Sequence, residues 1–268
     1  MHGMHARLPK NFVLEERLER YRDQIELDPV SWAGSWAVSA QAIGGAPFSS
    51  IRLDLGCGKG TFLVEAAKAE PDVLFLGMDA EPLCVAYTAQ HIAEANLANA
   101  LVIPGRGEAV VSSFAPAELQ CIYLNFPTPY PRKKEASKRL VAFDRLMEYR
   151  EVLGEEGELR LRTDSQPLRD FALGELAAAG YEIFYRSEDE RADHPDAPSS
   201  EYEMRLTAQG AKVLAVWARP TKEPQATAPE RSLSLTDYLP DDLFEGTYVP
   251  HGMSGTIVNL RNRRVRHG

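Results

Sequence analysis

Cysteine is scarce in this sequence, and the cysteines lie far apart. Cys57, Cys84 and Cys121 include no C-x-x-C pair, so neither a disulfide framework nor a zinc cluster is indicated. Long apolar runs are also missing, since no stretch approaches the roughly 18 apolar residues of a membrane-spanning helix. Residues 1–10 lack the apolar segment of a secretory signal. We therefore expect a cytoplasmic protein with no bound metal and no membrane partner.

An excess of positive charge is absent too. The 268 residues carry a formal net charge of -9 at pH 7, which argues against broad, non-specific nucleic-acid binding, because phosphate contacts need clustered cations. Two basic islands nevertheless stand in this acidic chain. Their cations are Arg132, Lys133, Lys134, Lys138 and Arg139, and then Arg261, Arg263, Arg264 and Arg266. Such runs usually face solvent, but either island could contact phosphates.

Segments of strand length alternate with segments of helix length through the centre of the chain. The predicted strands cover residues 51–55, 73–79, 100–103, 119–124, 157–164, 181–187 and 211–219. The predicted helices cover residues 61–69, 82–95, 108–114, 139–152 and 167–179. This alternation predicts an α/β fold with a doubly wound, mainly parallel sheet. Because no helix is predicted between the last two strands, the last strand is expected to be antiparallel.

The segments outside this alternation predict the domain boundaries. We expect an N-terminal arm (1–49), a central domain (50–219) and a linker with a C-terminal tail (220–268). Residues 188–200 are acidic, contain proline and lack aromatic residues, which predicts a mobile loop. The tail has aromatic residues but no periodicity that predicts a fold. The oligomeric state, monomer or homodimer, stays open.

A glycine-rich turn, DLGCGKG at residues 54–60, follows the first predicted strand. Gly56 and Gly58 permit a tight turn and a close approach of a ligand to the backbone, beside the N-terminus of the next helix. Asp79 ends the second strand, where an acidic residue can bind ribose hydroxyls. The turn alone could be a plain connection between strand and helix. The turn and the acid together predict a nucleoside cofactor site.

The spacing of the glycines bears on the choice of cofactor. Dinucleotide sites use G-x-G-x-x-G, whereas the G-x-G-x-G of this turn resembles motif I of S-adenosylmethionine-dependent methyltransferases. That resemblance implies that Asp54 helps to hold the methionine amine of S-adenosyl-L-methionine. It also implies that Glu108, after the third strand, reaches the adenine edge. A solvated helix start is an equally good interpretation of Glu108.

A proline-rich loop with three cations, LNFPTPYPRKK at residues 124–134, follows the fourth strand. Ligands of open α/β sheets bind beyond the carboxyl ends of the strands, so this loop should lie beside the cofactor. The loop resembles a motif of the bacterial tRNA (guanine-N7)-methyltransferases. Three more stretches resemble that family in the same order, and the resemblance covers about residues 25–219. They are LDPVSWAGSW at 27–36, RTDSQPL at 162–168 and SSEYEMRL at 199–206.

The resemblance implies transfer of a methyl group from S-adenosyl-L-methionine to N7 of a guanosine in the variable loop of tRNA. Thr128 and Asp164 would be the catalytic positions. The remaining expected roles follow from the same motifs. The cofactor would contact Asp54, Gly56, Gly58, Asp79 and Glu108; the tRNA would contact Arg132, Lys133 and Lys138; the target base would contact Asp164, Ser200 and Glu203.

Thr128 departs from the family pattern, which has an aspartate at this position. A hydroxyl can accept a hydrogen bond but brings no charge, and charge-assisted bonds are stronger. An alternative interpretation is therefore a tRNA-binding protein that methylates slowly or not at all. A small-molecule methyltransferase is a third interpretation, which the cationic loop opposes. Asp164 could also cap the following helix, and Glu203 could face solvent.

Overall fold

The computed structural model describes residues 13–38, 47–154, 156–239 and 248–267. Residues 1–10, on which the expectation about a secretory signal rests, lie outside these ranges. The strands are β1 (Ser50–Leu55), β2 (Val73–Asp79), β3 (Ala100–Pro104), β4 (Cys121–Asn125), β5 (Glu158–Thr163), β6 (Glu182–Ser187) and β7 (Leu214–Arg219). The α-helices are α1 (Leu14–Arg20), α2 (Thr61–Ala69), α3 (Pro82–Glu94), α4 (Val110–Ser113), α5 (Phe143–Leu153), α6 (Gln166–Ala178), α7 (Glu190–Asp193), α8 (Glu201–Thr207) and α9 (Ser254–His267).

The strands form a single sheet in the order β3-β2-β1-β4-β5-β7-β6. Strands β1 to β5 run parallel to one another, whereas β7 runs antiparallel to both β5 and β6. The predicted α/β fold with an antiparallel last strand is confirmed. The chain moves outward from β1 to β3 and then returns to place β4 on the other side of β1. This reversal is the point where open α/β sheets bind ligands.

Helices cover both faces of the sheet, which explains the continuous apolar runs of the inner strands. Phe75 and Leu76, which are neighbours in β2, point to opposite faces of the sheet, and both are buried. Leu76 packs with residues of α4, α5 and α6. Phe75 packs with residues of α2 and α3 on the other face. The two cores hold the carboxyl ends of β1, β4 and β5 side by side at one edge.

The C-terminal segment, residues 220–239 and 248–267, packs against the central domain. Leu235, Met253 and Ile257 are fully buried in the core on the α6 side of the sheet. The backbone N–H groups of Lys222 and Gln225 donate to the carbonyls of Gly180 and Ala178 at 2.9 and 2.7 Å. No fold was predicted for this segment because its apolar residues follow no helix or strand period. Tertiary contacts, not periodicity, place it.

Residues 188–200, predicted to be a mobile loop, are packed through their charges. Arg191 donates to the carbonyls of Pro195 and Ala197 at 3.1 and 2.8 Å. Glu190 accepts from the buried Arg162 of β5 at 2.7 Å. The prediction that no helix separates the last two strands is also wrong, because α7 and α8 lie there. An acidic residue of this segment, whose composition predicted exposure to solvent, instead pairs with a buried arginine in the folded protein.

Within the described ranges, no helix is both long enough and apolar enough to cross a membrane.

Candidate active site

Three segments meet at the carboxyl edge of the sheet, because β4 lies between β1 and β5 and all three strands are parallel. The glycine-rich turn follows β1. The proline-rich loop, residues 126–131, follows β4. Asp164 follows β5. The topology therefore brings together the predicted cofactor turn, the loop that carries Thr128 and the predicted acceptor of the target base.

The glycine-rich turn is tight, and its glycines are required by its geometry. Gly60 has φ 73°, and a Cβ atom at this position would lie 2.5 Å from Cγ2 of Thr88. Gly58 has φ 57°, and a Cβ atom there would meet nothing within 4 Å. The left-handed backbone is strained for any other residue. The open space beside Gly58 leaves the backbone accessible to a ligand.

Asp54 is almost completely buried, with 1% of its surface exposed. Burial raises the pKa of its carboxyl group to about 7, although the Nδ2 group of Asn125 donates to it and opposes the rise. That hydrogen bond measures 3.1 Å. The Oδ1 atom of Asn125 is buried and has no hydrogen-bond partner. A carboxylate and an unsatisfied amide oxygen thus stand side by side, ready to accept from a cationic donor.

Asp79 is oriented by two backbone N–H groups. Gly58 donates to its Oδ2 atom and Glu81 donates to its Oδ1 atom, each at 2.9 Å. Burial raises the pKa of Asp79, and these two bonds oppose the rise. A carboxylate oxygen can accept more than one hydrogen bond, so the oriented group can still accept from ligand hydroxyls.

Glu108 lies in a short 3-10 helix, Gly107–Ala109. Its side chain is 64% exposed and its Oε1 atom lies 3.9 Å from Nη2 of Arg145. Leu140 lies between this helix and the glycine-rich turn: added Cβ atoms at Gly107 and Gly56 would lie 3.1 and 3.8 Å from its methyl groups. The structure thus brings the backbone near Glu108 towards the turn, whereas the carboxylate faces solvent. Its contact with adenine stays a prediction.

The proline-rich loop has a constrained backbone. Phe126 and Tyr130 adopt positive φ angles of 50° and 46°, which is rare for residues with a side chain. Thr128 is exposed, and among the described residues its hydroxyl has no hydrogen-bond partner. The loop therefore presents an unengaged threonine on a rigid support.

Arg139 provides that support, so the alternative interpretation of residues 132–139 as one solvated run does not hold for this residue. Its side chain is fully buried and donates to the carbonyls of Pro129, Tyr130 and Leu233 at 3.1, 2.8 and 2.8 Å. Its guanidinium also lies 4.5 Å from the ring centre of Phe171. Arg139 thus joins the loop to the C-terminal segment.

The other cations of this island face solvent. Arg132, Lys133, Lys134 and Lys138 are all exposed. Residues Lys133–Lys138 form a 3-10 helix, and the ammonium of Lys138 lies 5.8 Å from the ring centre of Tyr130. A patch of free positive charge therefore borders the loop that carries Thr128.

Asp164 is held by residues that the sequence did not single out. Only 9% of it is exposed. Its Oδ2 atom accepts from the hydroxyl of Tyr248 and from the backbone N–H of His251, each at 2.6 Å. The interpretation of Asp164 as a helix cap is wrong, because Ser165 caps α6 by accepting from the N–H of Leu168. The aromatic residues near Tyr248 were visible in the sequence, but no motif linked them to Asp164.

Ser200 and Glu203 lie at the start of α8, not on an exposed strand. The hydroxyl of Ser200 accepts from the N–H of Glu203 at 3.0 Å and caps the helix. Glu203 is 1% exposed. Its Oε1 atom accepts from Arg162 at 3.1 Å and also from Arg191. Glu203 therefore does not face solvent in this structure but forms ion pairs with two arginines, and its contact with a base stays a prediction.

Aromatic rings connect these elements. The rings of Phe126 and Tyr202 are 5.7 Å apart, and those of Tyr202 and His251 are 5.1 Å apart, both edge to face. The loop after β4, helix α8 and the residues that hold Asp164 therefore form one packed wall. Among the described residues, no group of His, Cys, Asp and Glu side chains is arranged to hold a metal ion.

A model of the family described as "Putative methyltransferase" matches residues 49–216 of the chain. The chain belongs to this methyltransferase family. The match covers the whole seven-stranded sheet except the last residues of β7, and it ends before the C-terminal segment.

The motifs of this methyltransferase resemble those of the bacterial tRNA (guanine-N7)-methyltransferases, and its curated relatives confirm that resemblance. The tRNA (guanine-N(7)-)-methyltransferases of Geobacillus kaustophilus (strain HTA426) and Geobacillus thermodenitrificans (strain NG80-2) are 28% and 29% identical to it over 200 residues. Each alignment covers 74% of this chain and 90% of the relative. Among solved structures, the 16S rRNA (adenine(1408)-N(1))-methyltransferase from Catenulisporales acidiphilia has a TM-score of 0.49 and 19% identity. That comparison covers 75% of this chain and 96% of the other.

Proposed function

We propose that this methyltransferase transfers a methyl group from S-adenosylmethionine to N7 of a guanosine in the variable loop of tRNA. The observation that carries the proposal is the position of the cation-flanked loop. It lies between the turn that bears Asp54 and the strand end that bears Asp164. The motifs around these residues are those of a family in which two relatives carry this activity in their names.

The residues around the glycine-rich turn fit S-adenosylmethionine. Asp54 and the unsatisfied Oδ1 atom of Asn125 can accept from the N–H groups of the methionine amine. Asp79, already oriented by two backbone bonds, can accept from ribose hydroxyls. The open space beside Gly58 admits a ligand against the backbone, and Glu108 is left for the adenine edge. When bound, the cofactor supplies an electrophilic methyl group on a sulfonium.

Methylation at N7 needs positioning more than it needs a base. N7 of guanine has an in-plane lone pair and carries no proton, so no side chain has to remove one. Positioning alone can lower such a barrier by about 7 to 11 kcal/mol at best. Asp164 suits this task, because its Oδ1 atom has no hydrogen-bond partner among the described residues. That oxygen can accept from an N–H group of guanine and hold the base in place.

The exposed cations suit the RNA backbone. Arg132, Lys133 and Lys138 lie on the loop and on the 3-10 helix that follows it. Contacts from such side chains to phosphates bring affinity and orientation but no sequence specificity. Because each contact releases counterions, tRNA binding through this patch should weaken steeply with salt. A small neutral substrate would have no use for the patch.

A methyl-transfer assay with mapping tests this function directly. The purified protein is mixed with labelled S-adenosylmethionine and an unmodified tRNA transcript, and the labelled nucleotide is located. We expect N7-methylguanosine in the variable loop. The matched control is the same tRNA with 7-deazaguanosine at that position, which has no N7 and should stay unlabelled. Label at another atom, or no label in a sample that binds both ligands, would contradict the proposal.

Replacing Thr128 by aspartate separates a weak enzyme from a binder without turnover. The exposed hydroxyl of Thr128 offers no charge, whereas a carboxylate forms hydrogen bonds about twice as strong. We expect Thr128→Asp to raise kcat/KM by about tenfold, the equivalent of about 1.4 kcal/mol. Thr227→Asp is the control, because Thr227 is an exposed threonine outside the site. If neither the parent protein nor Thr128→Asp transfers methyl groups while both still bind tRNA, the protein is a tRNA binder without turnover.

A further inference from the structure

The carboxylate of Asp164 is held from outside the domain that the family shares. Both donors to its Oδ2 atom, the hydroxyl of Tyr248 and the N–H of His251, lie in residues 248–253. We call these residues the 248–253 turn. The family match ends at residue 216. The predicted base-binding acid is thus completed by a segment that the shared pattern does not include.

Two bonds to one oxygen have a directional effect. They restrict rotation of the carboxyl group and leave the Oδ1 atom as its free acceptor. Hydrogen bonds to a charged acceptor are short and strong, as both of these are at 2.6 Å. Burial and the bond to Asp164 raise the pKa of Tyr248, so its hydroxyl keeps its proton and stays a donor at neutral and moderately alkaline pH.

The 248–253 turn is itself fixed on two sides. Met253 is fully buried, and its sulfur accepts from the hydroxyl of Ser165 at 3.2 Å. Gly252 has φ 73°, and a Cβ atom there would lie 2.9 Å from Cδ of Pro129. The turn therefore rests on the residue after Asp164 and on the loop that carries Thr128. Any change in the turn is transmitted to both.

We propose that Tyr248 is a positioning residue of this methyltransferase. Tyr248 acts through Asp164, because it holds the carboxylate with the Oδ1 atom of Asp164 towards the target base. The inference rests on the proposed function. Thr128 brings no charge to the site, and its hydroxyl has no hydrogen-bond partner among the described residues. The orientation of Asp164 by Tyr248 accordingly carries more of the positioning than it would beside a second acid.

A double-mutant cycle tests the inference, because a positioning residue must lose its effect when its partner is removed. The four proteins are the parent, Tyr248→Phe, Asp164→Ala and the double variant, each checked for its melting temperature. We expect Tyr248→Phe to lower kcat by about tenfold with little change in KM, as befits one lost bond to a charged group. In the Asp164→Ala background we expect it to change kcat by less than about twofold.

Tyr238→Phe is the matched control. Tyr238 is another tyrosine of the C-terminal segment, but its hydroxyl donates to the carbonyl of Ser232 at 3.2 Å. Its substitution should leave kcat unchanged. If Asp164→Ala does not fold, Asp164→Leu, which also removes both acceptor oxygens, replaces it in the cycle.

Two kinetic results would overturn the inference. Equal effects of Tyr248→Phe in both backgrounds would show that Tyr248 only supports the fold. A higher kcat in Tyr248→Phe would show that the turn obstructs the base. If the parent protein transfers no methyl group, the proposed function fails, and the cycle is read from the tRNA dissociation constant instead. Coupling in that constant supports the inference, whereas its absence, or no tRNA binding, overturns it.

Discussion

Asp54→Asn is expected to abolish binding of S-adenosylmethionine and, at the same time, to increase the free energy of unfolding of the cofactor-free protein at pH 8. Asp54 is buried and forms no ion pair among the described residues, and burial raises the pKa of its carboxyl group to about 7 although Asn125 and Arg162 oppose the rise. At pH 8 the folded protein therefore holds a buried negative charge that Asn125 and Arg162 compensate only in part. Asparagine has nearly the same shape and carries no charge, so it removes this cost and also removes the proposed counter-ion of the methionine amine.

The pH range of this effect follows from the direction of the shift. The carboxyl group has an ordinary pKa of 3.8 and a folded-state pKa of about 7. The contribution of this carboxyl group to folding stability is fully present below pH 3.8. It is lost as the pH rises through the folded-state pKa of about 7. The full difference corresponds to roughly 4 kcal/mol. Urea unfolding should therefore show a gain for Asp54→Asn at pH 8 that shrinks towards pH 5.

Titration calorimetry tests the second part of this prediction, the loss of cofactor binding. The cofactor affinity of the parent protein should fall as the pH drops below about 7, because the amine needs the ionised carboxylate. Asp72→Asn is the control, since Asp72 is exposed in the turn before β2. It should alter neither the stability nor the affinity. A stabilised Asp54→Asn that still binds the cofactor at full strength would show that Asp54 does not contact it.

Arg139→Ala is expected to cost about 3 kcal/mol or more of unfolding free energy, because it leaves buried carbonyl acceptors without a donor. Arg139 donates to the carbonyls of Pro129, Tyr130 and Leu233. Burial lowers the pKa of Arg139 to about 10, so it is charged at neutral pH and its hydrogen bonds are charge-assisted. Urea unfolding measures the loss.

Activity should fall along with stability in this variant. Tyr130 keeps a positive φ of 46° in a loop whose carbonyls Arg139 holds, so the loop should relax when the guanidinium is gone. The control is Lys138→Ala, its exposed neighbour, which should change the unfolding free energy by less than about 0.5 kcal/mol. Equal changes of the unfolding free energy in the two variants would mean that Arg139 contributes no more to stability than a surface lysine.

The parts of the fold that were predicted from the sequence depend on local signals. Helix α2 occupies the predicted residues 61–69, and β2 the predicted residues 73–79. A glycine turn before the helix and a continuous apolar run in the strand are sufficient for both. The glycine-rich turn and Asp79 were found in the same way, because a strand end places both at one edge of the sheet.

The parts that were missed depend on partners far along the chain. Arg139 stands among exposed cations in the sequence, and one of the carbonyls that it contacts in the fold, that of Leu233, lies 94 residues away. The partners of Asp164 lie 84 and 87 residues away. Glu203 finds its arginines on β5 and α7. No spacing rule connects such residues, so their burial and pairing could be read only from the folded chain.

The distant origin of the 248–253 turn also sets an order of assembly during protein synthesis. All seven strands end by Arg219, so the residues of the sheet and of the turn that bears Asp54 are synthesised before Tyr248. At ordinary elongation rates, Met253 follows roughly 2 to 7 seconds later. Until then, Asp164 lacks both of its donors, and a chain cut short in that interval can hold a complete sheet with an unoriented acid. The ribosome therefore finishes the scaffold of this site before it supplies the residues that aim it.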